Sequence, residues 1–172
     1  MIKILLLKSA LLVFCFSIVL YKIFAQTPEK YPKITGYVGI LHPIISINKN
    51  QTTTNFTNYY IGGLPTGINI WKTHHIGFSM EFVPFIRAQS GDSKMYNLLF
   101  HPGILVRLAP NTVFAGRLAF ETGGRYGITP VINKVVKRNK NCNYFVAIPL
   151  PLRFGNNLPT SVGIGFQFGI GF

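Results

Sequence analysis

The histidines are the first candidates for chemistry, because imidazole serves both as a base and as a metal ligand. His74 and His75 are adjacent, and neighbouring side chains in an extended chain point apart. The pair would therefore be a poor chelate and is interpreted as part of a turn. His42 and His101 each precede a proline, without a Cys or Asp nearby to complete a metal site. We expect no metal and no other cofactor.

Catalytic residues are equally hard to find. A serine hydrolase requires a nucleophile, a histidine and usually a carboxylate, but the sequence contains no G-x-S-x-G turn. Gly163 and Gly165 resemble a nucleotide-binding loop only in their spacing, since no strand-to-helix transition follows them. The sequence predicts no catalytic residue, and we expect a protein that is not an enzyme.

Charged residues give the pattern that most suggests a site. In I-G-F-S-M-E-F-V-P-F-I-R, from Ile76 to Arg87, large apolar residues alternate with Gly, Ser and Glu. Successive side chains of a strand point to opposite faces, so charged and large apolar residues are expected on different faces. Buried charges require partners. We interpret the set as a structural polar network that fills a barrel lumen, with Asn69 as a further hydrogen-bonding group: Glu81, Arg87, His101, Arg107, Arg117, Glu121 and Gln167.

The closing stretch raises the question of which environment the apolar face meets. The chain ends in S-V-G-I-G-F-Q-F-G-I-G-F, with Phe166, Phe168, Ile170 and Phe172 on one face and mostly Gly on the other. This period of two predicts a β-strand. Bulky residues facing lipid, with small residues facing a narrow interior, are typical of a membrane barrel. A buried strand of a soluble sandwich has the same alternation and stays an alternative.

Composition favours the membrane barrel. Only 12% of the residues are charged, about half the usual share, while aromatic residues reach 14%. The formal net charge of +13 suggests anionic partners such as lipopolysaccharide phosphates. The dense basic run near Lys134–Lys140 is interpreted as a solvated turn, so no nucleic-acid binding is expected. Tyrosines and Trp71 near strand ends, among them Tyr37, are expected to form girdles at the membrane interface.

Seven stretches are convincing strands, and Ile128–Val136 supplies a weaker eighth that contains Pro130. An even number is expected if both chain termini face the periplasm. The polar stretches Asn48–Asn58 and Ala88–Lys94 are predicted to be exposed loops. The fold class expected is all-β: an eight-stranded antiparallel transmembrane barrel at residues 33–172, after a short lead-in at residues 26–32.

The N-terminus has the layout of a cleavable signal peptide at residues 1–25: a basic start, an apolar run and a small residue at Ala25. The competing interpretation is an uncleaved anchor, but the apolar run from Ser9 to Tyr21 is shorter than the roughly 20 residues that span a bilayer. After cleavage Cys142 would be alone, so no disulfide is expected.

The region from Lys33 to Phe172 resembles the small outer-membrane β-barrel proteins of the Bacteroidota, in the OmpA-like barrel class. The stretches P-T-G-I-N-I-W-K, I-G-F-S-M-E-F-V-P-F and R-F-G-N-N carry the resemblance, together with the aromatic C-terminal strand. That strand resembles the signal read by the outer-membrane barrel-assembly machinery. The resemblance implies a location in the bacterial outer membrane and no particular activity.

Three functions remain open at this point. The first is a monomeric outer-membrane barrel with a plugged lumen and a structural or surface-binding role, in contact with outer-membrane lipid and lipopolysaccharide. The second is a barrel enzyme that modifies lipid or lipid A, and the third is a soluble periplasmic carrier similar to lipocalins.

Overall fold

The computed structural model describes residues 30–172. The predicted signal peptide and most of the lead-in lie outside these residues. The described part contains no helix that could cross a membrane. Its strands are β1 (Lys33–Asn48), β2 (Thr52–Thr54), β3 (Tyr60–Gly63), β4 (Thr66–Trp71), β5 (Ile76–Gln89), β6 (Asp92–Ala109), β7 (Thr112–Glu121), β8 (Tyr126–Arg138), β9 (Asn143–Pro149), β10 (Leu152–Phe154) and β11 (Ser161–Gly171).

The eleven strands form one antiparallel sheet, and its first and last long strands are neighbours. Strands β5 to β9 pair in chain order. β11 pairs with β9 on one side and with β1 on the other, from Tyr37↔Gly171 to Asn48↔Ser161. β1 pairs in turn with β3 and β4, which both pair with β5. The ladder therefore returns to its start, and the fold is barrel-like.

Eleven strands replace the predicted eight because prolines divide two of the runs and because the short strand β2 forms within a predicted loop. Pro65 separates β3 from β4, and Pro151 separates β9 from β10, since proline has no N–H to donate to the ladder. The carbonyl groups of both prolines still accept bonds from neighbouring strands, from the N–H of Gly39 and of Gly163. The weak stretch around Pro130 forms the long strand β8, in which Pro130 lies opposite Gly116.

Both predicted loops contain more structure than expected. Within Asn48–Asn58, the residues of β2 pair with Ile45–Ile47 of β1. Ala88–Lys94 is a tight hairpin rather than a loop, because β5 and β6 extend to a turn at Ser90 and Gly91. Both turn residues have positive φ, 52° and 88°, which matches the right-handed twist of a two-residue hairpin.

The inward-facing side chains lie in layers along the strands. We call the end that carries the β4–β5, β6–β7 and β8–β9 connections the turn end, and the opposite end the loop end. Towards the turn end, Trp71 packs in an apolar cluster with Leu105, Ala115, Val131 and Ala147. Further towards the loop end, Val83, Leu99 and Ala119 form a second apolar cluster, also inward-facing.

The glycine face of β11 points to the interior, where there is no room for a side chain. A Cβ at Gly169 would meet the carbonyl oxygen of Val38 and approach the ring of Phe145 to 2.7 Å. At Gly165 a Cβ would lie 3.1 Å from Pro149. Close approach of β1 and β9 to β11 therefore explains why small residues alternate with Phe and Ile here.

Candidate functional site

A buried carboxylate lies at the centre of the interior. Glu81 on β5 is 2% exposed, and its Oε1 accepts hydrogen bonds from Arg117 Nη1 at 2.8 Å and from His101 Nδ1 at 2.9 Å. Its Oε2 accepts a 2.8 Å bond from the hydroxyl of Tyr37 on β1. That hydroxyl accepts in turn from Arg117 Nη2 at 3.0 Å, and the same Nη2 lies 3.4 Å from Ser79 Oγ. The carboxylate charge is thus matched by a guanidinium, and two further donors complete its hydrogen bonds.

Thr129 links this cluster to a second one. Its hydroxyl oxygen accepts a 2.9 Å bond from Arg153 Nη1 and lies 2.8 Å from His101 Nε2. In the tautomer whose Nδ1–H donates to Glu81, Nε2 of His101 accepts from the Thr129 hydroxyl, whose oxygen still accepts from Arg153. Arg153 Nε also pairs with Glu121 Oε1 at 2.7 Å. One continuous network therefore crosses the interior from β1 to β10.

The second cluster also fixes the β7–β8 turn. Asn97 Nδ2 donates to Glu121 Oε2 at 2.7 Å, so both oxygens of Glu121 have partners. Asn97 Oδ1 accepts from the hydroxyl of Thr122 and from the backbone N–H of Gly123. The network is therefore anchored at the loop end by a turn that follows directly on β7.

The predicted site residues divide into two groups. Glu81, His101, Arg117 and Glu121 belong to the continuous network described above. Arg87 and Arg107 share their inward parity but lie at opposite strand ends, so they are not part of it. The Arg87 guanidinium lies 4.3 Å from the ring centre of Tyr59, and that of Arg107 lies 4.5 Å from that of Trp71.

The two predicted amides have different outcomes. Gln167 on β11 is buried, at 3% exposure. Asn69, predicted to add hydrogen bonds to the network, has a buried Oδ1 without a hydrogen-bond partner in the described part of the chain. Parity thus predicts which face a residue occupies, but not the partners it finds there.

Tyr37, Ser79, Asn97, Thr129 and Arg153 complete the network and were not predicted as members. The prediction that Tyr37 and Trp71 belong to interfacial girdles is wrong, because each side chain is only 6% exposed and faces the interior. The inward parity of β1 could have indicated Tyr37, but a register irregularity between Pro43 and Ile45 blurs the alternation of that strand. The prolines near Arg153 likewise interrupt the alternation, so the sequence did not indicate that this side chain faces the interior.

A cavity of about 360 Å³ lies above the network at the loop end. His101 and Thr129 line it, as do the charged residues Glu121, Arg125 and Arg153. Apolar side chains of β1, β3 and β5 line it as well, among them Leu41, Ile61 and Phe85. The charged residues lie on β7, on β10 and in the turn between β7 and β8, and further apolar residues, among them Leu99 and Pro149, lie on β6 and β9.

The outward face is apolar around the whole ring. Large hydrophobic side chains on it are between about two-fifths and two-thirds exposed, and they include Phe82 (48%), Ile104 (59%), Leu118 (52%) and Phe168 (41%). Phe166, Ile170 and Phe172, predicted on the bulky face of the closing strand, are exposed there too. This arrangement reverses that of a soluble barrel, whose apolar residues fill the interior.

Exposed cations concentrate at the turn end. Lys33 opens β1, Lys72 lies in the β4–β5 turn, and Lys137, Arg138 and Lys140 lie around the β8–β9 turn. Among residues 30–172 no acidic side chain lies at this end, since Glu81 and Glu121 face the interior and Asp92 lies in the β5–β6 hairpin at the loop end. The turn end is therefore a basic rim.

Metal ligation finds no support among the described residues, in which no three His, Cys, Asp or Glu side chains are grouped to hold an ion. His74 and His75 lie in the β4–β5 turn with their rings edge to face, and Tyr31 Oη is 3.4 Å from Nδ1 of His74. Cys142 is a free, half-buried cysteine.

Comparisons with known proteins match the fold only distantly. No protein-family model and no curated protein matches the sequence. The de novo designed TMB2.3 is similar in structure, with a TM-score of 0.45 and 10% identity over 85% of this chain and 97% of that one. The Ralstonia pickettii toluene transporter TbuX has a TM-score of 0.35 and 13% identity over 83% of this chain and 44% of the transporter.

The pairings and burial of this chain itself therefore define its class. It is an all-β, barrel-like antiparallel protein with an apolar exterior and a polar, hydrogen-bonded interior.

Proposed function

We propose that this chain is an integral protein of the bacterial outer membrane, built as a transmembrane barrel of eight strands. In this count β3 and β4 form one barrel strand, and β9 and β10 form another. The observation that carries the proposal is the apolar outward face, which continues around the ring. Soluble monomers rarely expose contiguous apolar patches above a few hundred Å². Lipid, in contrast, requires an apolar exterior and a sheet without open edges.

The strand arrangement supports a count of eight barrel strands. β3 and β4 follow one line between β1 and β5, and β9 and β10 follow one line between β8 and β11. β5 and β6 have 14 and 18 residues, more than the roughly 9–11 that a tilted strand needs to cross a bilayer. An even number of barrel strands puts Lys33 and Phe172 at the same end of the barrel. In outer-membrane barrels this end faces the periplasm.

Export and assembly complete this proposal. Residues 1–25 direct the chain out of the cytoplasm as a signal peptide. The outward row of Phe166, Phe168, Ile170 and Phe172 is read by the barrel-assembly machinery. In this proposal the chain is one of the small, OmpA-like barrel proteins of the Bacteroidota. It inserts into the membrane as a monomer.

The role of the lumen is structural in this proposal. The network from Tyr37 to Asn97 has charged members that pair with one another, so it supplies neither a free base nor a nucleophile. An eight-stranded barrel has an interior just wide enough for side chains to fill it. We therefore propose a plugged lumen, with no catalysis and no free ion conduction.

The surface role rests on charge. With the turn end in the periplasm, the basic rim meets phosphates of the inner-leaflet phospholipids. At the loop end, the exposed Lys49 and Lys94 are placed to contact lipopolysaccharide. Each cation near an anionic membrane surface contributes about 1 kcal/mol to the attraction.

Heat modifiability tests the proposal. Outer-membrane fractions are run on SDS gels with and without boiling. We expect the protein in the membrane fraction, with a band that shifts on boiling because a closed barrel resists SDS. A protein in the soluble periplasmic fraction without such a shift would overturn the membrane location and return the soluble carrier to first place.

A further inference from the structure

We infer that the loop-end cavity is a binding site for a small organic anion with an apolar body and a carboxylate head group. Its volume of about 360 Å³ lies within the range of small-molecule sites, about 300–1,000 Å³. Its lining combines guanidinium groups with many apolar side chains, and these match the two parts of such a molecule.

The charge of the cavity favours an anion. Three charged side chains line it: Glu121, Arg125 and Arg153. Glu121 is neutralised by Arg153, and both of its oxygens already accept hydrogen bonds. One positive charge, that of Arg125, is therefore left over among the charged residues that line the cavity.

Arg125 is also short of acceptors. Its Nη2 donates to the carbonyl groups of Arg153 and Pro159 and to the hydroxyl of Ser161. Its Nε is buried and has no hydrogen-bond partner among the described residues. An anionic oxygen bound in the cavity would neutralise the charge of this guanidinium and form a charge-assisted hydrogen bond with it.

The rim of the cavity repeats this chemistry. Arg87 lies between the rings of Tyr59 and Tyr96, which both line the cavity, and its Nε is likewise buried without a partner. The positive charge of Arg87, next to two residues of the lining, attracts anions towards the site.

One polar side chain of the lining is already occupied. Asn55 lines the cavity, but its side chain is used by Pro43 and by both backbone groups of Ile61. The side chains of Leu41, Ile61 and Phe85 offer apolar surface to the body of the ligand. The single surplus positive charge and this apolar surface favour one anionic group on an apolar skeleton over a polyanion.

Calorimetry with phenylbutanoate and its neutral analogue phenylbutanamide tests the inference, with the full chain in lipid nanodiscs to avoid detergent micelles. We expect saturable one-to-one binding of the carboxylate, and binding of the amide that is weaker by about tenfold or more, the equivalent of one charge-assisted hydrogen bond. No saturable binding, or equal affinities for the two probes, would overturn the inference.

Variants locate the site. Arg125→Gln is expected to weaken carboxylate binding about tenfold and to leave amide binding within about twofold. Arg125→Lys, which keeps the charge but loses the planar fork, should lie between wild type and Arg125→Gln, and it replaces Arg125→Gln if that variant does not fold. Arg138→Gln at the turn end is the matched control and should bind like wild type. An equal loss in the control would place the binding on the basic surface and overturn the inference.

This inference goes beyond the proposed membrane location and can fail separately from it. A chain that shifts on boiling but binds no carboxylate would keep the membrane barrel and remove the site. A soluble chain that binds the carboxylate would do the reverse.

Discussion

Removing the charge of Glu81 is the sharpest test of the interior network. In Glu81→Gln, the remaining carbonyl oxygen can still accept from Arg117 and His101, but the new amide group then faces the hydroxyl of Tyr37. That hydroxyl already accepts from Arg117, so its own hydrogen loses its acceptor. The Arg117 guanidinium, 8% exposed, also becomes an uncompensated charge. Breaking a buried pair in this way costs about 3–5 kcal/mol, and we expect a loss of that size in the free energy of unfolding.

Urea unfolding from lipid vesicles measures this loss, with the fluorescence of Trp71, the single tryptophan, as the signal. Arg117→Met alone should cost a similar amount, while the double variant should be more stable than the sum of the two losses predicts, by about 2–3 kcal/mol. Asp92→Asn in the exposed hairpin is the control and should stay within about 0.5 kcal/mol of wild type. A Glu81→Gln variant as stable as that control, or two losses that simply add, would refute the reasoning.

Three further predictions concern other parts of the interior and the closing strand. Thr129→Val breaks the link between the two clusters and should lower the free energy of unfolding by about 1–3 kcal/mol. The control Thr66→Val, at an exposed site, should leave it unchanged. Equal effects of the two variants in urea unfolding would contradict the link. Gly169→Ala should destabilise the barrel by about 1–3 kcal/mol, because the new Cβ meets backbone atoms. In Gly116→Ala the new Cβ meets only the movable ring of Phe114 at 3.5 Å, so this variant should be tolerated. Equal stability of the two variants in the same unfolding assay would contradict the close packing at Gly169. Phe172→Ala should lower the amount of heat-modifiable protein in the outer membrane while leaving the stability of refolded protein within about 1 kcal/mol, and unchanged membrane levels would argue against its role in assembly.

The presence of a strand, and the face on which each side chain lies, could be predicted where large apolar residues alternate regularly with small or polar ones. Along β5, the predicted inward residues Gly77, Ser79 and Glu81 are buried, and the predicted outward residues Phe78 and Phe82 are exposed. A period of two needs only local sequence to be recognised, and this strand carries it over several residues without interruption.

The composition of the network could not be predicted, because it depends on height along the barrel as well as on facing. Arg87, Arg107 and Arg117 all face inwards, yet only Arg117 lies level with Glu81. Height follows from pairing register, which the sequence of one strand does not specify. Irregular pairing and prolines, as near Tyr37 and Arg153, obscure facing as well.

The order of the interior layers favours a receptacle over a pore. From the turn end, the interior presents the apolar cluster around Trp71, then the charged network beside the apolar cluster around Leu99, and finally the cavity, which is lined in part by members of the network. An ion that entered at the loop end would have to displace paired charges and then cross the apolar cluster around Trp71, where it would find no partner. A molecule with one charge and an apolar body, in contrast, finds Arg125 and apolar side chains in the cavity without displacing a paired charge. Stability and binding therefore meet at the loop end: Glu121 and Arg153 pair within the network and also line the cavity, and Arg125 is the cation left for a ligand.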